Sequence, residues 1–252
     1  NNEITTLSKK FNVMIEQLED LYNDLDKKVK ERTAQVVAQK EEIEAQRDEI
    51  EKHRDQLAEQ QKHIMDSITY AKRLQYAILP TDENIRELFS EFFIVFHPKD
   101  IVSGDIYWFN QLNGKRYFSA VDCTGHGVPG ALVSMVGHNW LDYALKDLKL
   151  ERPVDILGAL NTGVTSTFKE KDEDGAVKDG MDIALCCVDY DNMKLQFAGA
   201  YNPAIIIRNG ELIQLKGDKC PIGAFSRRAV AGYTHQEIDI QKGDMVYVFS
   251  DG

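Results

Sequence analysis

No glycine and no proline occurs before Pro80. A stretch of that length without either residue has nothing to break a helix or make a tight turn, so it reads as one continuous helix. Apolar residues recur in it every seventh position, at Ile15, Tyr22, Val29, Val36, Ile43, Ile50, Leu57, Ile64, Ala71 and Ile78. A seven-residue repeat held this long implies a left-handed supercoil. A lone helix could not bury such a stripe, so the expected partner is an identical chain, giving a homodimer. The second seam position runs Leu18, Leu25, Arg32, Gln39, Gln46, His53, Gln60, Ser67, Leu74. It is polar through most of its length, which makes half the seam weak. Two readings follow: a plain spacer rod, or a rod tuned to shift register when pushed from upstream.

Composition changes sharply after this point. Every glycine and proline lies from Pro80 onward, and 43% of all residues are hydrophobic, so a core belongs in the later part. We therefore expect a boundary near residue 80. The net charge of −11 argues against nucleic acid or anionic membrane surfaces as partners. Cys123, Cys186, Cys187 and Cys220 form no C-x-x-C pair, which disfavours a zinc clip and fits a reducing compartment. No apolar run reaches the ~18 residues that would span a bilayer. Residues His53 and His63 lie in the helix, but no H-E-x-x-x-P box surrounds either, so His53 reads as a polar seam residue rather than a phospho-acceptor.

Beyond Pro80 the pattern shifts to short period-2 runs separated by turn signals. Phe92 to His97 reads as a strand. Asp105–Asn110 and Arg116–Asp122 read as a hairpin about Asn113-Gly114. Asp182–Asp189 and Lys194–Gly199 pair across Asp191-Asn192, and Ala204–Arg208 and Glu211–Leu215 across Asn209-Gly210. Met245–Ser250 is a further strand. Helices are expected over about Pro129 to Lys149 and Pro153 to Glu170. Antiparallel hairpins with segregated helices indicate an α+β fold of stacked antiparallel sheets flanked by helices, an α-β-β-α sandwich.

Three segments carry chemistry: Val102-Ser103-Gly104-Asp105-Ile106-Tyr107-Trp108, Ala120-Val121-Asp122-Cys123-Thr124-Gly125-His126-Gly127, and Val248-Phe249-Ser250-Asp251-Gly252. Each sets an aspartate at a strand end beside a glycine that frees the backbone. Converging carboxylates without a His or Cys set suit hard cations, Mg²⁺ or Mn²⁺. Two such ions can bridge and deprotonate one water for in-line attack on phosphorus. Asp182, with Asp179 before it, leads into a strand; it reads either as an exposed turn acid or as a further acid near the cleft. Lys99 reads either as a surface lysine or as an aid to phosphate binding.

The ordered motifs S-G-D-x-Y-W, V-D-x-x-G-H-G-V-P-G-A and F-S-D-G resemble the SpoIIE-like branch of the type-2C metal-dependent protein phosphatases. Gly199 to Pro203 and Pro221-Ile222-Gly223 match further motifs of that branch, and Lys72 to Pro80 resembles the helical lead-in before its domain. The resemblance implies that Asp105, Asp122 and Asp251 are metal ligands at the catalytic centre, with Asp122 bridging two ions. It implies that the backbone carbonyl of Cys123 is a ligand and its thiol incidental. Gly104, Gly125, His126 and Gly127 are implied to shape the site. The family has one more metal-binding aspartate downstream of its D-G motif, which the present sequence does not contain. Separately, Asn2 to Met14 resembles the second helix of a HAMP signal-relay module, which implies an upstream membrane sensor and a cytoplasmic location for this part.

The expected organisation is therefore 1–20 as the end of a HAMP-like helix, 21–80 as a coiled-coil stalk and 81–252 as the phosphatase domain. The resemblance implies a phosphoserine or phosphothreonine protein phosphatase whose substrate is a STAS-type anti-anti-sigma factor. The alternative is an inactive pseudophosphatase serving as a dimeric scaffold. A cysteine phosphatase fails, because Pro129 stands where C-x5-R needs arginine. A P-loop fails as well, because Ala131 replaces the required lysine.

Overall fold

The computed structural model describes residues 2–169, 179–223 and 232–251. The chain divides into two compact units, Asn1–Ile64 and Met65–Gly252. The first unit is wholly part of helix α1, Asn2–Ile78. Its seam residues stand in solvent: Ile43 is 63% and Ile50 68% exposed. Surface ion pairs at i, i+4, such as Lys28–Asp24 and Lys30–Asp26, line the polar faces, the usual local support of an exposed helix. The helix stops two residues before Pro80, whose ring disfavours helical backbone in the residue ahead of it.

In the second unit the last turns of α1 are followed by α2 (Asp82–Leu88). Thr81 caps α2: its Oγ1 accepts from Asn84 N–H, and Asn84 Oδ1 accepts from Thr81 N–H. The remaining elements in chain order are β1 (Ile106–Leu112), β2 (Lys115–Cys123), α3 (Gly127–Asp142), a π-helical turn (Tyr143–Asp147), α4 (Pro153–Lys169), β3 (Met181–Asp189), β4 (Lys194–Ala200), β5 (Ala204–Arg208), β6 (Glu211–Leu215), β7 (Gln236–Asp239) and β8 (Met245–Val248). The fold is α+β, as the hairpin spacing predicts. Glu170, the expected end of α4, and Gly252 of the last motif lie outside the described residues.

Strands β1-β2-β3-β4-β7 form one antiparallel sheet and β6-β5-β8 another. The expected Asn-Gly hairpins form, with φ of 51° and 79° at Asn113-Gly114 and 52° and 83° at Asn209-Gly210, positive at both residues as a type I′ turn requires. The β3–β4 connection is longer, since Asp189 pairs with Lys194. Met193 there takes the left-handed conformation, and Asp189 accepts from Asn192 N–H and Nδ2.

Alternation along the strands builds two cores. On one face of the five-stranded sheet Tyr117, Val121, Cys123, Ile183, Leu185 and Ala198 pack against Leu141, Leu145, Ile156, Leu157 and Leu160 of the helical layer. On the other face Ala184, Cys186, Val188 and Phe197 meet Ala204, Ile206 and Leu215 of the second sheet. Strand β3 lies between the two cores, which explains its unbroken apolar run Ile183 to Val188.

One expected strand does not form. Phe92 to His97 is extended, and its side chains alternate between part-buried and exposed, but it joins no sheet. It lies alongside instead: Phe93 packs its ring on Tyr247 of β8 at 5.7 Å and Phe96 on Tyr107 at 5.5 Å. Period-2 patterning reports a half-buried extended chain, and hydrogen-bonded pairing needs a neighbour at ladder distance as well.

Candidate metal centre

The acids gather at one end of the sandwich, and strand register accounts for most of the placement. Ile106 pairs with Val121, which sets Asp105, one residue earlier, across from Asp122. Asp122 in turn pairs with Asp182. Three aspartates thus stand in a row on neighbouring strand ends, with strands ~4.8 Å apart. Asp122 shares the inter-sheet face with Phe118, while Cys123 next to it turns its thiol into the helix-side core. Asp251 arrives from the opposite sheet, three residues beyond β8. Its neighbour Ser250 donates Oγ–H to Asp105 Oδ2 at 3.1 Å.

Asp122 is the focus of this group. Burial, followed by the charge of Asp105 and hydrogen bonds with Asp251 and Asp105, pushes its carboxyl up to about 7. Asp182 is also raised, by burial first and then by Asp251. Carboxylates this close hold a proton between them, or a cation in its place. The donors are all oxygen, which fits Mg²⁺ or Mn²⁺ rather than zinc. Among the described residues, however, no three His, Cys, Asp or Glu side chains close into a finished cation cage. The acids meet in pairs.

Backbone contact presses the loops together. A Cβ on Gly104 would lie 2.7 Å from Gly125 O and 2.9 Å from Cys123 O, so only glycine lets the Asp105 loop seat against the carbonyl of Cys123. Gly130, in the first turn of α3, is in similarly close contact with Gly125 and Gly104. Gly125 and Gly127 take φ of +86° and +64°, which turn the chain from β2 into α3. Between them His126 ends at the N-cap of α3, its Nδ1 2.9 Å from Asp100 Oδ2. Thr124 ties this loop to β3: its N–H and Oγ1 donate to Gly180 O, and Oγ1 accepts from Gly180 N–H. Lys99 is exposed on the loop ahead of Asp105.

Sequence reading missed the supports of the Asp105 loop. Gln75, in the last turns of α1, is 1% exposed. Its Oε1 accepts from Ser103 N–H at 3.0 Å, and its Nε2 donates to Ser103 O at 2.5 Å and to Ser134 Oγ at 3.1 Å. Ser103 Oγ then accepts from Asp105 N–H at 3.0 Å. A lone glutamine in a glutamine-rich helix gives no signal of this kind; its place in the segment leading to Pro80 was the only clue.

The family profile described as Stage II sporulation protein E (SpoIIE) matches residues 113–252. The chain belongs to the SpoIIE family. The SiaA-PP2C domain of Pseudomonas aeruginosa is similar at 33% identity and a TM-score of 0.65, over 76% of this chain and 73% of that one. The PP2C phosphatase domain with a fragment of the regulatory domain of SpoIIE from Bacillus subtilis matches at 19% identity and a TM-score of 0.46, over 57% and 40% of the two chains. The S. agalactiae serine/threonine phosphatase matches at 13% and 0.48, over 62% and 75%. No curated protein matches by sequence. The α+β sandwich of this SpoIIE-family chain is thus a PP2C-type phosphatase fold, and its three acid-bearing motifs are spread along a PP2C-like domain in the expected order.

Proposed function

We propose that this SpoIIE-family chain is a metal-dependent phosphoserine/phosphothreonine protein phosphatase, with a STAS-type anti-anti-sigma factor as substrate. The observation that carries the reading is the convergence on Asp122 of Asp105 and Asp251, each from a different element. Bound Mn²⁺ or Mg²⁺ would supply an activated water and offset phosphoryl charge. Asp105, Asp122 and Asp251 would hold the ions, and the carbonyl of Cys123, pressed against Gly104, is placed to join them. Asp182 extends the row of acids by one strand. Asp100 on Nδ1 orients His126 and leaves Nε2 to pass a proton to a departing serine or threonine oxygen. Gln75 and Ser103 keep the Asp105 loop in position.

The test is manganese-dependent hydrolysis of p-nitrophenyl phosphate. Turnover lost in Asp122→Asn supports the reading. A parent without turnover, indistinguishable from Asp122→Asn, supports the pseudophosphatase scaffold.

We also propose that the stalk pairs with a second copy in parallel and in register. The first seam position is apolar at every turn from Ile15 to Ile64, and the second is polar at Gln39, Gln46, His53 and Gln60. In-register parallel pairing sets apolar layers on apolar and glutamine on glutamine. An antiparallel pair would bury each of these polar groups against an apolar side chain, without a partner. Flanking charges agree, since Glu42 and Glu49 would meet Arg47 and Arg54 of the second copy. In the full-length protein this stalk would carry a signal from an upstream membrane sensor to a phosphatase in the cytoplasm.

A further inference from the structure

The row of acids continues into an aromatic residue. Strand β4 ends at Ala200, which pairs with Ile183 of β3. The next rung would set Tyr201 across from Asp182, two strands and on the order of 10 Å from Asp122. The ladder breaks there. Asn202 N–H donates back to Ala200 O at 2.7 Å, closing a three-residue turn around Tyr201 at φ +59°. A γ-turn with positive φ is the rare, strained form, and a bulky side chain makes it costlier.

The surroundings impose this conformation. Tyr201 N–H donates to Asp218 O, and Asp218 N–H to Gly199 O, both at 2.8 Å. The carboxylate of Asp218 is itself held by Thr234 N–H and Oγ1. A Cβ on Gly217 would stand 2.7 Å from Asn202 O, and one on Gly199 2.5 Å, so two glycines are needed to let the strands close over the turn. Packing does not explain the outcome: the Tyr201 side chain is 49% exposed. A strained backbone, fastened from several sides, holds an aromatic ring in solvent beside the acids. Strain kept in this way is characteristic of ligand-contacting positions.

We propose that Tyr201 reads the substrate, its ring contacting the polypeptide on one side of the phosphorylated serine or threonine. At ~3.3 Å per extended residue, the span from Asp122 reaches about three residues along a bound peptide. Exposed tyrosine suits this task, offering a rigid apolar face and a hydroxyl at low entropic cost. The inference rests on the phosphatase reading above.

The experiment compares kcat/KM for phosphorylated casein and for p-nitrophenyl phosphate, which has no flanking chain. In Tyr201→Ala and Tyr201→Gly the casein-to-ester ratio is expected to fall at least tenfold, mainly through KM, and Tyr201→Phe recovers most of it. Tyr201→Gly is expected to melt at or above the parent temperature, because glycine adopts φ +59° without strain. A ratio within twofold of the parent, or a lowered melting temperature in Tyr201→Gly, overturns the proposal. If the parent turns over neither substrate, the phosphatase reading fails separately. Tyr201 is then judged by fluorescence anisotropy of a labelled phosphoserine peptide, where weaker binding by Tyr201→Ala supports it and equal binding overturns it.

Discussion

Gln75 and Ser103 satisfy each other in both directions: the glutamine carbonyl accepts from Ser103 N–H at 3.0 Å and its amide donates to Ser103 O. One side chain thereby closes the backbone polar groups of the residue two before Asp105. Because Gln75 is buried, Gln75→Leu strands both of those groups without water. We expect a loss of ~1–3 kcal/mol in urea denaturation and weaker Mn²⁺ binding by calorimetry. Unchanged stability would show that the loop holds itself.

Gly104 and Gly158 should respond oppositely to alanine. At Gly104 the new methyl meets two carbonyl oxygens of the backbone, which cannot yield as a side-chain tip would. Gly104→Ala is expected to cost ~1–3 kcal/mol. Gly158 sits inside α4 with nothing near its Cβ direction, so Gly158→Ala should gain ~0.4–1 kcal/mol. Parallel chemical denaturation of the two variants checks both signs.

His138 gives the second unit a pH dependence. Burial lowers its pKa below the ordinary 6.5, against the opposing charge of Asp142. The folded state therefore holds a neutral ring where the unfolded chain would take a proton. This penalty is absent above 6.5 and grows as pH falls below it, until the folded value is reached. The slope is bounded by about 1.4 kcal/mol per pH unit for one proton. His138→Gln should flatten the melting-temperature profile between pH 7 and pH 5 relative to the parent. Parallel profiles for the two would refute the assignment.

The direction of stalk pairing is open to cross-linking. All four native cysteines are buried, so a cysteine placed in α1 reacts selectively. In-register parallel chains bring Gln46→Cys against its own copy and yield a disulfide-linked dimer on a non-reducing gel. An antiparallel pair gives that product only when Gln46→Cys is mixed with Tyr22→Cys, and a monomer gives none.

The legible parts of this protein were those whose signals are local. Asn-Gly turns, the polar/apolar alternation of β1 to β6 and the glycine-flanked aspartates each announce themselves within a few residues. Register then carried Asp105, Asp122 and Asp182 to one strand end without further information. Strand β7 escaped notice because Gln236-Glu-Ile-Asp has one apolar side chain, and its place is set by pairing with β4. Helix α2 is seven residues long and depends on the Thr81 cap, too short for periodicity to register. Gln75 and Tyr201 owe their roles to hydrogen bonds with residues far along the chain, which no window of sequence contains.

The unpaired segment Phe92 to His97 has a consequence for handling. Phe93 and Val95 are 62% and 73% exposed, and the extended backbone beside them joins no sheet. Bare strand surface of this kind recruits other strands. Concentrated solutions should therefore self-associate through this edge, and a charged substitution such as Val95→Lys should keep the protein dispersed.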